Sequence, residues 1–327
     1  MKKRNSGFLK ERRTWISQLC LVIAVLLLVG LISAIGTSVY YGSGEPARDE
    51  KLRRLVETTV ALTEPGTESC GPLSSSVGGL FSVEMTGELC RQLGGEHVRT
   101  GSIDTEFTFE QMTWMDWQWR DKEPKGLPFM DAKDAEGYEW ERLDKLPKGT
   151  VVEAYLVFDH PRSTASVLKK MKGKDFAPVW FAVDTGDEKI KEEERPWEPI
   201  GFPYGDSWLE PYQKVTSRKV ETKGFFETVS ESAVGPDLEP YGSAANREKY
   251  FMKSLRTLAE GESKLDPSWK SDLQLKRRIG YLEKNGIKLS GALITGLTKE
   301  VLKLKKEPWI AGASLGEVDF WNWYEEE

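Results

Sequence analysis

Apolar residues along the chain occur in one long unbroken run, in stretches with helical spacing, and in stretches that alternate at every second position. The unbroken run, Leu19 to Gly36, reads LCLVIAVLLLVGLISAIG, and no charge occurs between Arg13 and Glu45. At about 1.5 Å per residue it spans roughly 27 Å, close to the thickness of a bilayer core, which predicts a membrane helix. Gly42-Ser43-Gly44-Glu45-Pro46 then interrupts the helical pattern. Leu52, Leu55, Val56 and Val60 recur at helical spacing and predict a short amphipathic helix that stops at Thr63-Glu64-Pro65-Gly66. From Gly66 to about Gly95 the chain is rich in Gly, Ser and Thr, with weak strand signals only around Leu80 to Val83. Thr105 to Arg120 alternates, so it predicts one half-buried strand with Met115, Trp117 and Trp119 on the same face. That row of rings fits a core face, or a stacking platform for sugars or lipids.

Residues 121–149 are charged and hold several Pro and Gly, which suits a boundary between domains. Beyond it, Thr150 to Phe158 predicts a strand, Asp159-His160-Pro161 a turn, Val167, Leu168 and Met171 a helix, and Pro178 to Val183 a second strand. A second such unit runs from a strand at Lys288–Ile294, through a helix carrying Leu297, Val301 and Leu304, to a strand from Trp309 to about Trp321. The two units share T-x-x-V-L-K, at Thr164 to Lys169 and at Thr298 to Lys303. Between them lie a helix carrying Phe251, Leu255 and Leu258 and another opening at Asp266-Pro267, carrying Leu275, Ile279 and Leu282, and ending at Asn285-Gly286. The expected class is α+β: an N-terminal transmembrane helix, then a region ending in a ferredoxin-like α/β sandwich of two β-α-β units with inserted helices.

Charge orients this picture. The chain has 327 residues and a net charge of −6, but residues 1–14 carry Lys2, Lys3, Arg4, Lys10, Arg12 and Arg13 against Glu11, a local charge of +5. The acidic remainder excludes nucleic acid as a main partner, because such binding neutralises phosphates with Lys and Arg. A basic flank before an apolar run, with Trp15 on one side and Tyr40 and Tyr41 on the other, predicts an N-terminus in the cytoplasm and an exported remainder. The competing reading is a cleaved signal peptide, for which Ala34 and Gly36 supply small residues, although its apolar region is usually shorter. Cys20 lies inside the run, leaving Cys70 and Cys90 in the exported part either as a disulfide pair or as two buried thiols. His97 and His160 are the only histidines and form no ligand cluster at metal spacing, so neither a metal nor another cofactor is expected.

Catalytic patterns are scarce. Gly312-Ala313-Ser314-Leu315-Gly316 fits G-x-S-x-G, but it lies within a strand pattern, and both histidines precede it. An exported serine hydrolase using Ser314 is therefore a remote alternative to a non-enzymatic protein. Asp184-Thr185-Gly186-Asp187 reads as a turn after a strand, or as oxygens for a cation. Pro196 to Tyr212 gathers Trp197, Phe202, Tyr204, Trp208 and Tyr212 among prolines and glycines. It is the candidate ligand-binding segment, the other reading being a long connection packed over the sheet by its own rings.

VVEAYLVFDHP at 151–161, PVWFAVDTG at 178–186, GFPYG at 201–205 and GALITGLTKEVLKLKKEPWIAGASLGEVDFWNW at 291–323 carry a resemblance. The C-terminal half resembles the anti-sigma factor C-terminal domain of membrane-bound sigma factor regulators of Gram-positive bacteria. The resemblance implies a cytoplasmic segment that holds an extracytoplasmic-function sigma factor, one membrane helix, and an outer region that senses envelope stress. The expected layout is a basic tail at 1–14, an anchor at 15–41, a juxtamembrane domain at 42–147 and the resembling domain at 148–327. Its tail departs from the family by being too short to cover a sigma factor, since interfaces need about 20–30 residues a side. The expected role is thus an envelope sensor or accessory subunit. Its partners are a sigma factor or a second regulator subunit, reached through membrane or tail, and the lipid bilayer. The alternative is an anchored binding module for cell-wall glycan, lipid headgroup or peptide.

Overall fold

A computed structural model describes residues 5–120, 139–147, 149–186, 199–212, 214–223, 226–236, 238–266, 269 and 273–320. The long apolar run lies in a single helix, α1 (Asn5–Tyr41), within which Ser17–Tyr41 is long and apolar enough to cross a membrane. Its side chains from Leu19 to Ile35 are largely exposed, so no packing among the described residues accounts for that apolar surface. Helix α2 (Arg48–Thr63) follows the glycine-proline break. It is buried well beyond one stripe: Thr59, Ala61, Leu62 and Thr63 are covered as well as Leu52, Leu55, Val56 and Val60. The two threonine hydroxyls tolerate this because each donates to the carbonyl four residues back, Leu55 at 2.7 Å and Thr59 at 2.8 Å.

The Gly- and Ser-rich stretch forms β1 (Thr67–Ser69), β2 (Ser74–Val77) and the start of β3 (Ser82–Leu93), and β4 (Glu96–Thr108) and β5 (Gln111–Trp119) complete an antiparallel sheet. β3, β4 and β5 are neighbours in that order, and both β1 and β2 pair with the other edge of β3. The alternating stretch from Thr105 is therefore a hairpin rather than one strand. It turns at Phe109-Glu110, where both residues have positive φ, without the Asn or Gly that usually announces such a turn. Met115 and Trp117 pack against the core, whereas Trp114, on the opposite face, is exposed.

After α3 (Trp140–Asp144), the C-terminal sheet contains β6 (Thr150–Arg162), β7 (Phe176–Val183), β8 (Gly201–Pro203), β11 (Leu289–Leu297) and β12 (Ile310–Phe320). α4 (Thr164–Met171) links β6 to β7, and β9 (Lys214–Lys223) pairs with β10 (Phe226–Val234) as a separate ribbon. α5 (Ala244–Gly261), α6 (Leu275–Asn285) and the short α7 (Thr298–Val301) complete the order. The strand order is β12-β6-β11-β7-β8, with antiparallel neighbours throughout. β6 is buried on both faces: Val152, Ala154, Leu156 and Phe158 enter the main core, and Tyr155 on the other face packs with Val179, Trp180, Ala182 and Leu293. The main core is continuous from α2 and the N-terminal sheet to the helices over the C-terminal sheet, and Trp180 Nε1 donates to the Ala61 carbonyl at 2.9 Å.

Four expectations shift. Asp159-His160-Pro161 is not a turn, because β6 runs to Arg162, where its edge still pairs with Leu289, and Ser163 then caps α4. The last-unit helix is shorter than its apolar spacing implies: Leu297 ends β11, and Leu302–Lys306 is a 3-10 stretch ahead of Pro308. α6 starts at Leu275 rather than at Asp266, and Pro267 lies outside the described residues. The last strand begins at Ile310, one residue after Trp309, while Trp321 lies outside them.

Candidate functional site at the end of the apolar helix

The last residues of α1 are locked onto the folded body by one carboxylate. Tyr40 donates its hydroxyl to Glu110 Oε1 at 3.2 Å, Arg48 Nε lies 3.1 Å from the same oxygen, and Lys264 Nζ binds Oε2. Arg48 also donates to the Tyr40 carbonyl at 2.9 Å, with its guanidinium 4.6 Å from the Tyr40 ring centre. Glu110 thereby ties α1, α2, the β4–β5 turn and the 3-10 turn Glu262–Lys264 to one another. The Lys264 ammonium, helped by Tyr40 and Arg48, holds the Glu110 carboxyl below its usual range despite partial burial. Tyr41, fully buried beside it, reaches the carbonyls of Phe81 at 2.8 Å and Phe107 at 3.2 Å. A displacement of the body relative to α1 must therefore break several charged or buried bonds, or move the helix with it.

A second junction joins the two sheets. Arg91 on β3 is 2 % exposed and Glu153 on β6 is 0 % exposed, and they meet at 3.2 Å. Arg91 also donates to the Pro65 carbonyl and to the Tyr155 hydroxyl, both at 2.9 Å, and the Glu317 amide approaches Glu153 Oε2 at 3.4 Å. Burial pushes the Glu153 carboxyl up, against the pull of Arg91. Gly66, at φ +74°, lies against Leu293 and Arg91 with no space for a side chain. Gly94 N–H donates to Thr295 Oγ1 at 2.7 Å nearby.

The aromatic residues singled out from the sequence divide among different tasks. Phe202 is fully buried, its ring 5.6 Å from Phe181 and 5.2 Å from Phe251. Tyr204 packs at a tilt against Tyr241 and lies 4.7 Å from the Arg247 guanidinium, while Tyr212 bonds Ser254 at 2.8 Å on α5. Trp208 lines an open cleft of about 330 Å³ with Pro203, Pro211, Glu57, Glu68 and Glu210. Trp197 lies outside the described residues. Cys70, at the rim of that cleft, is disulfide-bonded to Cys90, with Cα atoms 5.1 Å apart. Burial raises the Glu57 carboxyl even though it accepts from Leu73 N–H and Arg53.

Ser314 is buried in β12 opposite Tyr155, inside a strand and not on a strand-to-helix elbow. His97 and His160 sit beside Glu68 and Asp159 on the surface. Asp184 accepts from Tyr281 at 3.2 Å and from Gly186 N–H at 3.3 Å, as a turn residue does, and Asp187 lies outside the described residues. Among the described residues no group of His, Cys, Asp and Glu could hold a metal ion. Sequence reasoning missed Arg91, Glu110 and Glu153. Only Glu153 carried a signal, as a carboxylate in the apolar run VVEAYLVF.

The family model for the sigma factor regulator C-terminal region matches residues 143–317, and that for the sigma factor regulator N-terminal region matches residues 10–98. The chain belongs to the sigma factor regulator family. Within this regulator the Arg91–Glu153 pair joins the two family regions, and Glu110 falls between them. The chain is 26% identical over 323 residues to the "Probable anti-sigma-M factor YhdL" of Bacillus subtilis (strain 168), covering 96% of this chain and 82% of that protein. No solved structure matches.

Proposed function

We propose that this sigma factor regulator is a single-pass membrane protein, with residues 1–14 in the cytoplasm and residues from 42 onward outside, that controls an extracytoplasmic-function sigma factor without catalysis. Membrane anchoring is supported by the exposed apolar surface of residues 19–35 within the Ser17–Tyr41 span, and the orientation by the basic residues before it. The observation that carries the functional reading is the clamp of Tyr40 and Arg48 on Glu110. It makes α1 mechanically continuous with the folded body, so that an event outside can be passed inward as a shift of one helix. The cytoplasmic end of α1 would then act on the sigma factor directly or through a second regulator subunit. The layout we favour is tail 1–14, anchor 15–41, juxtamembrane domain 42–147 and C-terminal domain 148–327, the last two sharing a core. The order β12-β6-β11-β7, with α4 and α7 in the two crossovers, supports a ferredoxin-like reading of the C-terminal domain. The non-catalytic reading is supported by the buried, strand-bound Ser314 and by histidines that lie elsewhere.

The test is co-purification. Solubilised full-length protein should retain a sigma factor or a regulator subunit, and replacing Lys10, Arg12 and Arg13 by Gln should release it. Retention of neither kind of partner would overturn the reading. A second reading, a binding module, rests on the cleft beside Trp208. Its carboxylates Glu57, Glu68 and Glu210 disfavour anionic headgroups and favour a glycan or an amine-bearing peptide. Titrating tryptophan emission with wall fragments, and finding no change that Trp208→Phe abolishes, would remove it.

A further inference from the structure

Beside the last turns of α1, the N-terminal sheet presents two hairpin turns that carry large apolar side chains at their tips. Leu80 and Phe81 stand between β2 and β3 at φ +52° and +62°, and Phe109 and Glu110 stand between β4 and β5 at +48° and +64°. Left-handed turn positions favour Asn, Asp and Gly, so leucine and phenylalanine there are held against their backbone preference. Phe81 and Phe109 stack with ring centres 5.0 Å apart, and Tyr40 meets both edge-on. Leu80 is 73%, Phe109 58% and Val77 47% exposed, so the tips form an apolar patch continuous with the bare surface of α1.

The backbone of the first turn is satisfied by the helix itself. Leu80 N–H donates to Ser33 Oγ at 3.1 Å and Phe81 N–H to Thr37 Oγ1 at 3.0 Å, the two accepting hydroxyls lying one turn apart on α1. Those amides would find water freely at an aqueous tip. Hydroxyl partners on an apolar helix are what a non-helical backbone requires where water is absent. Ser33 lies within the apolar run and about 12 Å along the axis before Tyr41, so the first tip reaches well below the charged collar of Arg48, Glu110 and Lys264.

We propose that the β2–β3 turn and the Phe109 ring stacked beside it dip into the acyl-chain region of the leaflet surrounding the C-terminal part of α1, with Glu110 left at the charged collar. Membrane lipid is then the occupant of the patch formed by Val77, Leu80 and Phe109. The proposal rests on the reading of α1 as a membrane anchor. It makes the folded body touch the bilayer at a second place, and so makes its posture depend on lipid packing in that leaflet.

The test uses full-length protein in phosphatidylcholine–phosphatidylglycerol vesicles. An environment-sensitive fluorophore is placed on Leu80→Cys, Phe109→Cys, Val25→Cys in mid-anchor, or Lys276→Cys on distant α6, each with Cys20→Ala. Acyl-chain nitroxide lipids should quench Leu80→Cys and Phe109→Cys at least half as strongly as Val25→Cys, and aqueous iodide should reach them severalfold less than Lys276→Cys. If either tip is quenched by iodide like Lys276→Cys while Val25→Cys reads as lipid, insertion is refuted and the anchor stands. If Val25→Cys escapes the nitroxide lipids, the anchor reading fails and the insertion with it.

Discussion

Replacing Arg91 by Leu removes the cation from a site where Glu153 has no access to water. Removing one partner of a buried pair costs about 3–5 kcal/mol, because the remaining charge must stay unpaired or take up a proton. Here the Pro65 carbonyl and the Tyr155 hydroxyl also lose a donor. We therefore expect a loss of about 4 kcal/mol at pH 7. Burial raises the folded-state pKa of Glu153, so without Arg91 the deficit grows as pH climbs above the ordinary carboxylate range and shrinks as pH falls towards it. Restoring an apolar match with Arg91→Leu and Glu153→Leu together should recover most of the loss, since a buried pair replaced as a whole is close to neutral. Urea unfolding of the full chain in detergent micelles, followed by tryptophan emission at pH 5 and pH 8, measures all three. The reasoning is refuted if the single variant loses under about 1 kcal/mol, or if the double variant is no better than the sum of the singles.

Gly66→Ala combines a left-handed φ with a Cβ pressed against Leu293 and should cost about 2–4 kcal/mol in the same assay, whereas Gly79→Ala, which meets nothing nearby, should cost less than about 1. Removing the disulfide with Cys70→Ser and Cys90→Ser opens a loop of sequence separation 20 and should cost roughly 3 kcal/mol under oxidising conditions and nothing in excess reductant. Glu110→Gln should lower stability by about 1–2 kcal/mol at neutral pH. Because the folded state depresses the Glu110 pKa, that contribution is present above the ordinary carboxylate value and disappears as pH falls through the depressed one, so wild type and variant should converge in acid.

What was legible in the sequence follows the reach of local patterns. The apolar run and the strands at Thr150 and Pro178 announce themselves because each is set by spacing within a few residues. The shared T-x-x-V-L-K marks α4 and the stretch from Thr298, which occupy equivalent crossovers in one sheet. The β4–β5 turn was hidden because Phe109 and Glu110 carry no turn chemistry, and the strands after Gly66 because Gly and Ser give no alternation to read. Arg91 and Glu153 are 62 positions apart, and only tertiary packing makes them a pair. The aromatic segment from Pro196 offered two readings, a ligand-binding loop or a connection packed over the sheet by its own rings, and its described rings serve the core, Arg247, the cleft and α5 separately.

The proposed control of a sigma factor from the membrane can be read in transcription. Transcripts from promoters of the cognate sigma factor are measured in cells with the gene deleted, restored, or restored as Glu110→Gln, with and without cell-wall stress. We expect deletion to change sigma-dependent output and Glu110→Gln, with the clamp on α1 weakened, to alter the response to stress while the protein still accumulates. Identical transcript levels in the deleted and restored cells under both conditions would contradict it.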